Sequence, residues 1–131
     1  KRLMEERKKN MYNFSIGVLL NSFRMDTPSA LKKAAELGLQ GIQVPAAFGE
    51  LSPAELTGDK KKEFLKMVKD NGLTISALCG DLGQGFGNAE KNPQLIDESK
   101  RILDFAKELE TNIVTTHIGV VPNALCHRNR S

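Results

Sequence analysis

Long apolar runs, cysteines and net charge are all scarce in this chain of 131 residues, and each scarcity removes a class of explanation. No stretch approaches the ~18 consecutive apolar residues that a bilayer-spanning helix requires. The charged N-terminus leads into no apolar segment followed by a small-residue cleavage site of the secretory type. Two cysteines, Cys79 and Cys126, form no spacing pattern for a disulfide framework or a zinc ribbon, which points to a reducing, cytoplasmic setting. The net charge is only +3, and much of the basic excess lies in the tails, at Arg2, Arg7, Lys8 and Lys9 and at Arg128 and Arg130. That distribution argues against a nucleic-acid partner and gives no reason to expect a membrane partner. What is present, 40% hydrophobic and 27% charged residues, is the composition of a globular chain with one core.

The most informative stretch is Asn112 to Pro122. Ile113, Val114, Thr115 and Thr116 form an unbroken β-branched run, which suits a strand covered on both faces in a parallel sheet. His117 follows where that strand should stop. Gly119 allows a turn and Pro122 cannot continue a central strand, so the imidazole is expected at the carboxyl end, where parallel sheets bind ligands.

Upstream, the same unit recurs. Lys1 to about residue 13 is a charged extension, and because the pattern becomes regular only after Met11, the natural start is expected there. A first strand is expected over Phe14 to Leu20, with its loop at Asn21 to Arg24. Thr27 as cap and Pro28 in the first turn open a helix striped by Ala30, Leu31, Ala34, Ala35 and Leu37 and ended by Gly38. Gly41 to Ala47 is a second short strand broken at Pro45, and Ser52, Pro53 and Glu55 have the spacing of a capping box for a short helix. The next helix, from about Asp59 to Asn71, turns Phe64, Leu65 and Val68 inward and stops at Gly72. Thr74 to Cys79 is the third strand. After a glycine-rich turn from Gly80 to Gly87, Asn92 and Pro93 cap the longest helix, which carries Leu95, Ile96, Ile102, Leu103, Ala106 and Leu109 on one side.

Four strands beginning near residues 14, 41, 74 and 112, with helices between them, make an α/β chain of about four parallel βα units. Right-handed crossovers then place the strand-to-helix loops on one rim. A fourth helix is not supplied by Asn123 to Ser131, an irregular tail whose Cys126 and His127 resemble a metal fragment only by residue type. That tail suggests a truncation or a changed reading frame.

Asn21, Gln43, Cys79, Asp81 and His117 fall at or beyond the carboxyl ends of successive strands and would share that rim as a polar pocket. For His117 two readings stand: a strand-end histidine bonded to a nearby carbonyl, or a group that binds a substrate oxygen, exchanges a proton near neutral pH or ligates a metal. Asp81 either serves its own turn or faces the pocket. Gly80, Gly83, Gly85 and Gly87 match neither the dinucleotide fingerprint nor the P-loop, and a flexible lid with Phe86 as its apolar cover is equally compatible. Cys79 reads as a small buried hydrophobe in preference to a nucleophile.

Four segments carry a resemblance: Ser15-Ile16-Gly17-Val18, Gly38-Leu39-Gln40-Gly41-Ile42-Gln43-Val44, Ile75-Ser76-Ala77-Leu78-Cys79-Gly80-Asp81 and Thr115-Thr116-His117-Ile118-Gly119. In this order and register they resemble the xylose-isomerase-like sugar phosphate isomerase/epimerase family, from about Phe14 to Pro122. The resemblance implies part of an eight-stranded (β/α) barrel, a fold of ~250 residues, with residues 14–122 as its N-terminal half. It further implies a sugar or sugar-phosphate substrate and a divalent metal cation whose ligands come mainly from later strands, so this chain alone is expected to bind none and to be inactive. By the same resemblance His117 lines the substrate pocket, with Cys79, Gly80 and Asp81 beside it and Gln43 and Asn21 on the earlier strands. Gln43 stands where relatives often place an acid. A related abasic-site endonuclease uses several metal-binding histidines and a basic groove, which fits worse with two histidines and no basic rim. A non-catalytic half-barrel binding or assembly module is the remaining alternative. Open sheet edges in a half barrel also lead us to expect self-association.

Overall fold

Residues 14–120 are described by the computed structural model. In chain order they form β1 (Gly17–Leu19), a 3-10 turn (Leu20–Phe23), α1 (Thr27–Glu36), β2 (Gly41–Pro45), α2 (Gly58–Asp70), β3 (Thr74–Cys79), α3 (Asn92–Glu108) and β4 (Val114–Thr115). All neighbouring strands are parallel, and the sheet order β1-β2-β3-β4 follows the sequence. The parallel βα repeat is therefore as expected, an arrangement consistent with part of a barrel. Expectations about the charged extension, Met11, Pro122, Cys126 and His127 lie outside the described residues.

Each helix ends by the same physical device. Beyond α1, Gly38 takes φ 76, its amide donates to Ala35 and the Leu39 amide donates to Ala34. Gly72 repeats this beyond α2, where its amide donates to Lys69 and the Leu73 amide to Val68. These paired bonds satisfy the orphan carbonyls of a last turn, and glycine takes the left-handed position without a Cβ clash. Beyond α3 the left-handed position is held by Glu110, at φ 60, with Thr111 donating to Ala106.

The helices cover one face of the sheet. Leu31, Ile42, Val44, Phe64, Leu78 and Leu109 are its largest fully buried side chains. Along β2, Ile42 and Val44 point into that layer, so strand alternation turns Gly41 and Gln43 to the opposite face. A register shift between Ile42 and Gln43 leaves Ser76 as the extra residue of β3, its hydroxyl donating to the Ile42 carbonyl at 2.9 Å. Ala77 and Cys79 consequently join Gln43 on the inner face, while Leu78 faces the helices.

Several local expectations are corrected. β1 is shorter than Phe14 to Leu20: Leu20 begins the 3-10 turn, and Phe14 and Ile16 are exposed. The cap of α1 is Asp26, whose carboxylate accepts from the Ser29 amide at 3.0 Å, and Thr27 is already helical. Ser52 to Glu55 forms hydrogen-bonded turns without becoming a helix. Asn92 is the first helical residue of α3 and its side chain reaches back to the Phe86 carbonyl at 3.0 Å instead of capping. Ile96 and Leu103 face solvent, because a single sheet contact buries only the stripe Leu95, Ile102, Phe105 and Ala106. The expectation that the fourth strand is covered on both faces also fails. Among the described residues β4 pairs with β3 alone, helices cover one side, and Ile113 and Thr115 are exposed.

Candidate functional site

At the carboxyl rim, β3 and β4 deliver two polar side chains to one another. β3 ends at Cys79 in register with Thr115 of β4, and the Gly80 amide donates to the Thr115 carbonyl at 2.8 Å. Two residues past each of these positions, Asp81 and His117 meet: Nδ1 of His117 lies 2.6 Å from Oδ2 of Asp81. The other carboxylate oxygen accepts from the Gly83 amide at 3.0 Å, and Gly83 has φ 69. Asp81 therefore serves its own turn with one oxygen, as the first sequence reading had it, and meets the imidazole with the other. For His117, the partner is this carboxylate and not a strand carbonyl.

A carboxylate can only accept, so the proton of a neutral His117 ring is assigned to Nδ1, which leaves the Nε2 lone pair available. The His117 hydrogen bond, and after it the Gly83 amide, holds the Asp81 carboxyl below its ordinary range. His117 presents 81% of its side-chain surface to solvent against 30% for Asp81. The aspartate is thus the anchored member and the imidazole the presented one.

Gln43 lies on the inner face, where its Nε2 donates to the Thr115 hydroxyl at 2.6 Å. Gly17, Leu19, Gln43, Ser76, Ala77 and Thr115 line a shallow depression of about 320 Å³ on this face. Cys79 is a half-buried free thiol placed by strand alternation on the same side. Gly80 is turned the other way: a Cβ there would meet Val114 Cγ1 at 3.0 Å and Ile102 Cγ2 at 3.2 Å, beneath α3. Asn21 is not brought to the pair. It lies in the 3-10 turn beside a separate depression that it shares with Met25, Pro45 and Phe48. A depression of about 350 Å³ between α1 and α2, lined by Glu50, Glu63, Phe64 and Met67 among others, lies on the helical side and includes none of the expected site residues.

Two features were missed by sequence reasoning. Thr115 is the inner-face partner of Gln43, for which strand alternation was the available signal. The glycine-rich turn is tied down and does not stand as a free lid: the Phe86 amide donates to the Ile118 carbonyl at 3.0 Å, and the Phe86 side chain packs against the buried core.

For a divalent cation the donor set does not fit. Asp81 and His117 offer two groups already turned toward each other, whereas a cation needs several converging donors. No cluster of three or more histidine, cysteine, aspartate or glutamate side chains able to hold a metal ion occurs among the described residues. Nor, among them, is any helix long and apolar enough to cross a membrane.

Comparison with known proteins adds the following. The family model described as xylose isomerase-like TIM barrel matches residues 31–130. No curated protein matches. Among solved structures, the chain is similar to the probable 3-DHS dehydratase AsbF involved in petrobactin synthesis from Bacillus anthracis, at 18% identity and TM-score 0.60, covering 79% of this chain and 38% of that one. A sugar phosphate isomerase/epimerase from Parabacteroides distasonis is similar at 16% identity and TM-score 0.60, over 81% of this chain and 42% of that one. A second from the same organism aligns at 19% identity and TM-score 0.59, over 87% and 42%. The chain spans about two fifths of the length of these structures.

Proposed function

This chain belongs to the xylose isomerase-like TIM barrel family, and on that premise we propose that it forms the substrate-side part of a sugar or sugar-phosphate isomerase/epimerase. The single observation that carries the reading is the Asp81–His117 pair at the carboxyl rim of four parallel strands. In barrels of this architecture that rim is where ligands bind. The likeness to the two Parabacteroides sugar phosphate isomerase/epimerases supports the substrate class.

The chemistry available to these residues is binding and orientation. Asp81 keeps the proton on Nδ1, so Nε2 accepts a hydrogen bond from a sugar hydroxyl; a protonated ring donates instead to a carbonyl or phosphate oxygen. Gln43, Thr115 and Cys79 add polar contacts along the inner face, whereas Asn21 lies beside a separate depression and takes no part. Moving a proton between adjacent sugar carbons requires a base held against a C–H bond, and the described residues supply no such group beside His117. The divalent cation expected from the resemblance would draw its ligands from outside these residues. The chain alone therefore binds substrate without turning it over.

The test is a titration of the isotopically labelled chain with a panel of aldoses, ketoses and their phosphates, followed by NMR at the His117 ring. Saturable shifts at His117 and Thr115, with a Kd of about a millimolar, abolished in His117→Ala, are the expected result. The absence of any response across the panel overturns the reading. Solvent-deuterium incorporation into the sugar by this chain alone would overturn the part of it that denies turnover.

A further inference from the structure

Gly85 and Gly119 touch backbone to backbone. A Cβ built on Gly85 would stand 2.3 Å from Gly119 Cα and 2.5 Å from the Ile118 carbonyl oxygen, and one built on Gly119 would stand 2.3 Å from Gly85 Cα. These neighbours are main-chain atoms and cannot rotate aside. Gly119 has a second reason to be glycine, its φ of 86, but Gly85 is not in the left-handed region. Close approach alone accounts for Gly85. Around the crossing, the Phe86 backbone is gripped from both sides, its amide by the Ile118 carbonyl and its carbonyl by Asn92 Nδ2 at 3.0 Å.

The crossing joins the two segments that carry the polar pair. His117 is two residues before Gly119, and Asp81 is four before Gly85. We propose that it is a backbone clamp, and that Gly85 and Gly119 are positioning residues which hold Asp81 against His117 and so set which ring nitrogen carries the proton. Its importance for substrate binding rests on the sugar-binding reading above, but its geometry does not. With the clamp closed, the turn after β3 and the segment after β4 move as one unit and the imidazole presents Nε2. With the clamp wedged open by a methyl group, the carboxylate and ring separate and the imidazole adopts the tautomer mixture of an unpaired side chain.

Ring-nitrogen NMR at pH 8 on the wild type, Gly85→Ala, Gly119→Ala and Asp81→Asn tests this directly. The wild type is expected to show Nδ1–H as the dominant neutral form. Asp81→Asn removes the accepting carboxylate and should lose that preference; both glycine variants should lose it too, with strand amides elsewhere unchanged. A folded Gly85→Ala that keeps the wild-type tautomer overturns the clamp. Because that variant could fail to fold, hydrogen exchange of the Phe86 amide in the wild type decides independently: slowing of at least about tenfold relative to an open chain is expected from the bond to Ile118, and open-chain exchange overturns the proposal. Sugar titration separates the two ideas. Loss of the tautomer in the glycine variants without any sugar response in the wild type keeps the clamp and removes the sugar reading, whereas a sugar response with an unaltered tautomer does the reverse.

Discussion

Replacing Leu78 by alanine tests where the core lies and therefore which face of the sheet is left for ligand. Leu78 is 0% exposed and stands in register with Val44 on one side and Val114 on the other, so it is the apolar link across β2, β3 and β4. The substitution removes three carbons, worth about 2.4 kcal/mol at ~0.8 kcal/mol for each methylene-sized group. The cavity left behind raises the cost to about 3–5 kcal/mol, because parallel strands flanked by helices relax only partly. A domain of this size has about 5–15 kcal/mol in all. With a urea m-value of about 2 kcal/mol per molar, the midpoint of a far-UV circular dichroism titration should fall by roughly 1.5–2.5 M. Leu103→Ala makes the same chemical change on α3, where the side chain is 52% exposed, and should cost less than about 0.5 kcal/mol. A loss under about 1 kcal/mol at Leu78, or equal losses at the two sites, would refute the assignment of the core to the helical face.

Further outcomes follow from single contacts. Glu110 occupies the left-handed position after α3 that glycine holds after α1 and α2, so Glu110→Gly should raise stability by about 0.5–1 kcal/mol despite losing an exposed ion pair with Lys69; an unchanged or lower urea midpoint contradicts it. Asp81 is held below the ordinary carboxylate range, chiefly by His117 and then by the Gly83 amide, so the folded chain binds that proton less tightly than the unfolded one. Its stabilisation is present above the ordinary carboxylate range, is lost as pH falls through the lowered folded value, and should vanish from the acid limb in Asp81→Asn; coincident acid limbs in urea titrations would count against the pairing. Calorimetry with magnesium, manganese or zinc should show no saturable binding at micromolar concentrations by a chain spanning residues 14–120, and a stoichiometric isotherm would overturn the view that the donors among the described residues do not fit a cation. Because β1 and β4 each pair on one side only among the described residues, with Ile16, Ile113 and Ile118 exposed nearby, we propose that the chain self-associates. Light scattering after size exclusion should show it and Ile113→Lys should weaken it, whereas a stable wild-type monomer rejects the idea.

What was legible in the sequence was whatever is decided within a few residues. Thr74–Cys79 came out with its observed ends because Gly72 stops the helix before it and Gly80 breaks the strand after it, and Gly38 marks a helix end for the same local reason. Errors arose where two neighbours compete for one role, as Asp26 and Thr27 do for a cap, or where a local pattern depends on a distant cover. The β-branched run at Ile113 to Thr116 has the composition of a two-sided strand, yet whether anything covers its second face is not a property of those four residues. The same division runs through the site. His117 could be found from its place at the end of a strand and Asp81 from its place in a turn, but their contact spans 36 residues and depends on the parallel register of β3 with β4. Asn21 has an equivalent place in the repeat and is nevertheless carried to a different depression, because a 3-10 turn replaces the last part of its strand. Gly85 was the least legible, since a residue chosen for the absence of a side chain advertises no partner, and the backbone that requires that absence lies in the segment after β4. Chemistry at this rim is thus written in residue types, while its geometry is written in register and close approach, which become visible only when the strands are laid side by side.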